Sequence, residues 1–342
     1  MNPILAEDIK SFELPDELVG ALAGSTIMLT GSTGLIGSAV VRCLCALNVG
    51  IRFVLPVRNA GKCREMFTDE SDHITVVQTD LADFFAKTDL RCDFILHCAS
   101  PTDGDYIAQH PVETFMLAVE STRRMLEYAR HHSVKGLVFV SSVEYYGKIY
   151  DDSPVTEDMT GQIDHTSARS SYPLGKQAAE YLCVSYAGEY GVPVMIARPT
   201  QVFGAGIATD DRRVFAQFAR STIENRDIIL HTTGESAKPY CYTTDAVAAL
   251  VCIMLKGMPG EAYNIATPDT YVSIRRLAEL FKLYFNNNIS IQIDLGGSHN
   301  YAPTTKVNLD SSKLRHLGWT PRYGLPEMLR RLIEYLKSAN NK

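Results

Sequence analysis

The sequence predicts an α/β protein, a parallel doubly wound sheet followed by a smaller C-terminal α/β domain. Three observations predict it. Short apolar runs recur from Thr26 to Arg198, helical patterns separate them, and a glycine-rich turn joins the first run to the first helix. Strands that alternate with helices are parallel neighbours joined by crossovers. At 342 residues, 46% hydrophobic and 21% charged, the chain has the composition of a globular protein of one large or two modest domains.

Residues 1–25 read as a leader with one amphipathic helix. The strands expected after it are Thr26–Thr30, Arg52–Val57, Ile74–Gln78, Phe94–Cys98, Leu137–Ser142 and Pro193–Arg198. Helical patterns cover Leu35–Leu47, Tyr106–His131 and Tyr172–Tyr190. Proline is tolerated in a first turn and not inside a helix, so Pro173 requires that the last of these begins at Tyr172, capped by Ser170 or Ser171. After Arg198 the alternation weakens. Val214–Ile223 reads as helix, Asp227–His231 as extended chain, and Ala246–Lys256 as a helix behind an Asp245 cap. Ala262–Ala266 reads as a strand returning to the first unit, and Ser273–Phe285 and Leu325–Leu336 as late helices. The expected division is a leader (1–25), a first unit (26–198, with a returning segment near 241–266) and a second unit (199–240 and 267–342).

The turn is Gly31-Ser32-Thr33-Gly34-Leu35-Ile36-Gly37. Between a strand and a helix, its glycines let backbone approach a pyrophosphate at the helix N-terminus, which makes the first unit a Rossmann-type dinucleotide-binding domain. A tight structural turn is the plainer reading, and the β-rich flanks favour the dinucleotide. A Rossmann site normally has an acid at the end of the second strand to hold the adenosine ribose. Here Arg58 follows Val57, without a carboxylate. Arg58 suits a 2′-phosphate or an adenine ring, so the cofactor is NAD or NADP. A solvated loop arginine is the bland alternative.

Tyr172 and Lys176 are four apart and share one helix face. Tyr172 is the only tyrosine in the chain with lysine four residues on. An ammonium near a phenol lowers its pKa from roughly 10 toward working pH. The pair is then an acid/base beside a nicotinamide, with a helix-surface pair as the weaker alternative.

At this point the chain resembles the extended short-chain dehydrogenase/reductases that act on nucleotide sugars, the NAD-dependent epimerase/dehydratase family. It is most similar to their UDP-glucuronate decarboxylase and 4,6-dehydratase branches. Ser142-Val143-Glu144-Tyr145-Tyr146-Gly147 matches their Ser/Thr-x-Glu-x-Tyr-Gly segment, and the likeness continues through His97–Pro101, Ala197–Gly204, Asp211–Phe215 and Tyr242–Asp245. The resemblance implies a nucleoside-diphosphate sugar as substrate, with a UDP-sugar favoured, and a homodimer built on two helices. Phe115, Met116, Leu117, Tyr181, Leu182 and Val184 are the apolar positions in excess there. It implies a triad of Ser142, Tyr172 and Lys176, cofactor contacts from Asp80, Leu81, Ala99, Ser100 and Arg198, and substrate contacts from Pro101, Gln201, Arg213 and Lys238. Asp80 reads equally well as a loop cap.

Glu144 discriminates among the reactions. Dehydration in the family needs adjacent Asp and Glu, and Val143 stands in the Asp position. Decarboxylases carry a hydroxyl residue there, so Val143 departs from that pattern too. Decarboxylation, however, asks only for a 4-keto acid, loss of CO₂, protonation and re-reduction. The expected activity is therefore that of a UDP-glucuronate decarboxylase. A nucleotide-sugar 4-epimerase or 4-keto-reductase is the alternative, and a non-catalytic dinucleotide sensor or scaffold is the alternative of another class. Lys238 stands where decarboxylases use arginine and lacks its planar fork.

Other chemistry is disfavoured. A net charge of −6 argues against nucleic acid or an anionic membrane surface as partner. No apolar run is long enough to span a bilayer, and Met1–Lys10 lacks a signal peptide's basic and apolar regions. The eight cysteines show no zinc spacing and read as buried reduced thiols of a cytoplasmic protein. No metal site is expected, and His97 reads as a packed histidine.

Overall fold

The structure is a computed structural model that describes residues 1–149, 151–296 and 304–340. Two helices, α1 (Pro3–Lys10) and α2 (Asp16–Leu22), occupy the leader, where one was expected. The Asn2 side chain accepts from the Ile4 amide and Pro3 fills the first turn of α1, while Pro15 stops the intervening chain and precedes α2.

The alternating part follows. β1 (Thr26–Thr30) leads into α3 (Leu35–Ala46), β2 (Arg52–Val57) into α4 (Ala60–Met66), and β3 (Ile74–Gln78) into α5 (Leu81–Lys87). Helices α4 and α5 were not foreseen, because two turns are too short for a 3.6-residue apolar period to declare itself. β4 (Phe94–His97) is followed by α6 (Gly104–Gln109) and α7 (Pro111–His132). Pro111 splits the single helix expected over this stretch, since it has no amide to continue one and is preset to begin one. β5 (Gly136–Val140) and the short β6 (Pro154–Val155) precede α8 (Ser171–Tyr190). Ser170 takes the cap position of α8 without a side-chain capping bond, and Pro173 falls in the first turn. β7 (Val194–Pro199) completes the series, so each expected strand from β1 to β7 in the sheet lies within two residues of its observed bounds.

β8 (Gln201–Phe203), α9 (Val214–Ile223), β9 (Ile228–Leu230), β10 (Ala237–Lys238) and β11 (Tyr240–Tyr242) build the second lobe. α10 (Thr243–Lys256) and β12 (Ala262–Ile265) return to the first, and β13 (Val272–Ser273), α11 (Ile274–Phe285), β14 (Ile291–Ile293), β15 (Asn308–Leu309), α12 (Ser312–His316) and α13 (Leu325–Asn340) close the chain. Asp245 does not cap α10, which starts at Thr243. Its carboxylate lies in the first turn and accepts the Arg322 and Tyr323 amides at 3.0 and 3.1 Å, tying down the chain that enters α13.

The central sheet is parallel throughout, in the order β12-β7-β5-β4-β1-β2-β3. Strand order reverses between β1 and β4, and the crevice beyond their C-terminal ends is the ligand position of doubly wound sheets. One face of the sheet is covered by α2, α3, α4 and α10, the other by α5, α7 and α8. The second lobe has its own core, centred on Phe203, Phe215, Tyr242, Phe281 and Leu329. Among the described residues no helix is long and apolar enough to cross a membrane.

Candidate active site

The turn Gly31–Gly37 leaves β1 at the switch point. Gly31 has φ of +70°, and a Cβ on it would lie 2.7 Å from the Ala99 amide nitrogen, so β1 and β4 approach through bare backbone. A Cβ on Gly37 would lie 2.3 Å from the Gly31 carbonyl oxygen, which lets α3 start directly on the turn. Gly34 is the cap residue of α3 and offers no side chain to its first amides. The first turn of α3 carries no acidic residue either. Uncapped amides at a helix N-terminus inside a glycine cradle fit a dinucleotide pyrophosphate, with Ser32, Thr33, Leu35 and Ile36 alongside.

The floor beside the turn is rigid. The Thr30 hydroxyl accepts the Ala99 amide at 3.2 Å and faces His97 Nδ1 at 2.8 Å. Ser121 donates to the Leu117 carbonyl at 2.5 Å, so at 3.5 Å it can only accept from His97 Nε2. That assigns the proton to Nε2 and leaves Nδ1 to accept from Thr30. Burial, with the Lys176 charge nearby, pushes His97 down to about 3 and keeps the ring neutral. It is a packed histidine, stacked on Phe139.

Ser142 ends the turn after β5, and its hydroxyl accepts the Glu144 amide at 3.2 Å. The hydroxyls of Ser142 and Ser100, just beyond β5 and β4 respectively, face the Tyr172 phenol and pull its pKa down. Lys176, one turn along α8, is 3% exposed and donates to the Val140 carbonyl at 2.8 Å. Its ammonium lies 5.7 Å from the Tyr172 ring centre, and burial pulls it down to about 8. The expectation that Lys176 brings the phenol toward neutrality is not met in this arrangement. Burial first, then the Glu144 charge, carries Tyr172 up to about 12, against the two serine hydrogen bonds. Glu144 is exposed, whereas Val143 is buried with Tyr146, Val155 and Leu309 in a small core.

The remaining expected residues come from both lobes. Arg58 is exposed just past β2, Asp80 is exposed at the start of α5, and Leu81 is half-buried. Ala99, Ser100 and Pro101 are half-buried beyond β4. On the second lobe, Gln201 opens β8 and pairs in register with Tyr240. Lys238, half-buried in β10, makes no ion pair among the described residues. Arg213 is already engaged: Asp211 holds its Nε at 3.0 Å and Nη2 at 2.6 Å, and Nη1 reaches the Val202 carbonyl at 3.0 Å.

Arg198 has a different setting from the cofactor contact the resemblance implied. It is 4% exposed and every guanidinium nitrogen has a protein partner. Nε and Nη2 bond the Glu180 carboxylate at 3.1 and 2.7 Å, and Nη1 donates to the Tyr146 hydroxyl at 2.9 Å and the Glu157 carbonyl at 2.8 Å. Tyr146 in turn donates to Asn264 of β12 at 2.7 Å. Sequence reading missed this network. Its only local signal was Glu180 at the next i+4 position after Lys176. It also missed Arg212, whose guanidinium bridges to Asp103 and Asp105 at 3.0 and 2.9 Å, joining the loop after β4 to the second lobe.

The model of the NAD dependent epimerase/dehydratase family matches residues 27–266. The dTDP-D-glucose 4,6-dehydratase of Homo sapiens is 26% identical over 340 residues, covering 95% of this chain and 93% of that one. UDP-glucuronic acid decarboxylase 1 of Xenopus tropicalis is 28% identical over 258 residues, 74% of this chain and 60% of the relative. Among solved structures, the UDP-glucose 4-epimerase of Thermotoga maritima superposes with a TM-score of 0.78 at 22% identity, over 92% of this chain and 99% of that one.

The Glu144 charge opposes the phenolate, so removing it lowers the Tyr172 pKa. In Glu144→Gln, the tyrosinate absorbance step that is lost in the Tyr172→Phe background should come at lower pH than in the wild type, where burial and the Glu144 charge push it up. PH-jump ultraviolet spectra at low salt measure it, and an unmoved step means that the carboxylate does not reach the phenol.

Proposed function

Because the chain belongs to the NAD dependent epimerase/dehydratase family, we propose that it acts on a nucleoside-diphosphate sugar through a C4-keto intermediate, with UDP-glucuronate decarboxylation as its reaction. It is an enzyme of that family. The observation that supports this particular reaction is the pair Val143 and Glu144. A carboxylate stands beside the phenol, while the preceding position, where dehydration needs a second acid, is a valine turned into a core.

Tyr172 takes the proton of the sugar C4 hydroxyl and later returns it, with Ser142 and Ser100 holding the reacting oxygen. The bound dinucleotide supplies the hydride acceptor and donor at C4. With the dinucleotide bound, Lys176 would hold the nicotinamide ribose hydroxyls in exchange for the Val140 carbonyl. With C4 a ketone, the bond from C5 to the carboxylate breaks and CO₂ leaves. The electron pair remains as an enolate, which takes a proton at C5, and Glu144 is the residue placed to govern that proton. Gln201, Arg213, Lys238 and Pro101 line the sugar-nucleotide side. A 4-epimerase or 4-keto-reductase is the second reading, favoured by Lys238, a point charge that does not form the bidentate carboxylate contact of an arginine. The eight unpaired thiols suit a cytoplasmic enzyme.

Purified protein incubated with UDP-glucuronate should yield a UDP-pentose and CO₂, read by product mass. Unchanged mass with inverted C4, from a hexose substrate, makes it an epimerase instead. Tyr172→Phe should lower turnover by a factor on the order of 10² to 10⁴ with the dinucleotide still bound. Glu144→Gln should slow a reaction that protonates C5 and leave an epimerase nearly untouched.

The cofactor choice between NAD and NADP turns on Arg58. NADP should bind at least comparably to NAD, and Arg58→Asp should shift the ratio of dissociation constants toward NAD by removing the partner of a 2′-phosphate. An unchanged ratio would make Arg58 a surface residue.

We read the enzyme as a homodimer through α7 and α8. Met116, Leu117, Tyr181 and Val184 are 51, 39, 73 and 48% exposed, large apolar side chains in water on two helices packed against each other. Phe115 and Leu182 are half-buried, and Leu182 packs on the chain's own core instead. Light scattering at micromolar concentration should give twice the chain mass, and Tyr181→Lys should halve it. A monomeric wild type rules the dimer out.

A further inference from the structure

We propose that the N-terminal helix α1 is a positioning element of the sugar-nucleotide site: acting through the hydroxyls of Tyr242 and Tyr335, it sets where the 204–213 segment lies. The proposal rests on the reading of Arg213, which ends that segment, as a contact of the sugar nucleotide.

The argument begins with a buried acid. Asp8 is 2% exposed, and its partners Tyr242 and Arg331 are 0 and 3% exposed. A carboxylate taken out of water is costly unless it is paired and hydrogen-bonded. Asp8 has both kinds of partner: Arg331 Nε donates to Oδ1 at 2.8 Å, and the Tyr242 hydroxyl donates to Oδ2 at 2.6 Å. Glu7 on the same helix takes Arg331 Nη1 at 3.0 Å. Asp8 and Arg331 both lie outside residues 27–266, the span matched by the family model.

The Tyr242 hydroxyl has one proton, and Asp8 holds it. Its oxygen is thereby turned to accept, and the Ala205 amide points at it at 3.4 Å. Next to Ala205, the backbone of Gly204 lies on the Tyr242 ring, since a Cβ there would come within 3.0 Å of two ring atoms. A second tie reaches the same segment from α13. The Tyr335 hydroxyl donates to the Ile207 carbonyl at 3.1 Å, while the Asn2 side chain donates to the Tyr335 carbonyl at 3.2 Å and to Ser338 Oγ at 2.7 Å. Between the two ties, Leu5 of α1 and Leu35, the first residue of α3, both flank Gly206, 3.9 and 3.7 Å from the position of a Cβ. The helix therefore sits where the dinucleotide helix, α13 and the 204–207 turn meet. The segment continues to Asp211 and Arg213, whose guanidinium ties back to Val202.

The test separates a positioning role from a purely structural one. Tyr242→Phe and Tyr335→Phe each delete one tie and leave the Asp8–Arg331 ion pair intact, so both keep the helix docked. Calorimetry with UDP and with NAD is the readout, joined to hydrogen exchange of the 204–213 amides. UDP binding should weaken by about fivefold to tenfold per variant, the worth of one net hydrogen bond, while the NAD dissociation constant stays within about twofold. The 204–213 amides should exchange faster in both variants. Asp8→Asn, which also breaks the buried ion pair with Arg331, should loosen the 204–213 amides at least as much as Tyr242→Phe and lower the melting temperature besides. Equal weakening of both ligands, or a lower melting temperature with neither dissociation constant nor the 204–213 exchange changed, overturns the proposal and leaves α1 as a strut. If the wild type binds NAD but no UDP, the sugar-nucleotide reading fails, and the exchange data alone then decide whether α1 orders the segment.

Discussion

The ion pair between Glu180 and Arg198 is the constraint on which the geometry of the candidate site depends. Glu180 is on α8 one turn beyond Lys176, and Arg198 is on β7. Both are nearly inaccessible, and the contact uses two guanidinium nitrogens on one carboxylate. Two buried charges are tolerated because each satisfies the other and the leftover donor reaches Tyr146 and Glu157. Burial still pushes the Glu180 carboxyl above its ordinary range, against the pull of Arg198. The pair thus fixes the rotation of α8 about its axis, and with it the direction of Tyr172 and Lys176.

The same guanidinium organises the turn that carries Ser142 and Glu144. Arg198 stacks on the Tyr145 ring at 3.5 Å and bonds the Tyr146 hydroxyl, so both tyrosines of the motif rest on one side chain. Asn264 extends the network to β12, to the Val155 carbonyl and to the Asp310 carbonyl. Three segments far apart in the chain meet at Tyr146, and none touches solvent there.

Electrostatics around the phenol follow from dryness rather than from the neighbouring lysine. Desolvation is the largest cause at Tyr172, at Lys176 and at His97, and it moves the acid up and the two bases down. His97 is left neutral, as an orienting group whose two nitrogens have opposite roles. Lys176 keeps its proton within reach of neutrality, held by a carbonyl instead of the phenol. A group that enters the crevice and offers acceptors to this ammonium would compete with Val140 for it.

Much of this was legible along the chain. Glycines at 31, 34 and 37 between an apolar strand and an apolar helix determine a turn that holds only without side chains, and the Tyr172–Lys176 spacing determines one helical face. Strand alternation determined the α/β class, because those signals are local and repeat with the period of the backbone. Short helices α4 and α5, the break at Pro111 and the second leader helix were not legible to the same degree, since two turns hold too few apolar residues to show a period. Only the tertiary structure decided the partners of Arg198, the hold of Asp245 on the Arg322 and Tyr323 amides, and the contact of Asp8 with Arg331, residues 323 apart. Such contacts are chosen by burial, where a charge must find whichever opposite group the packing brings to it, and no spacing along the chain encodes that choice.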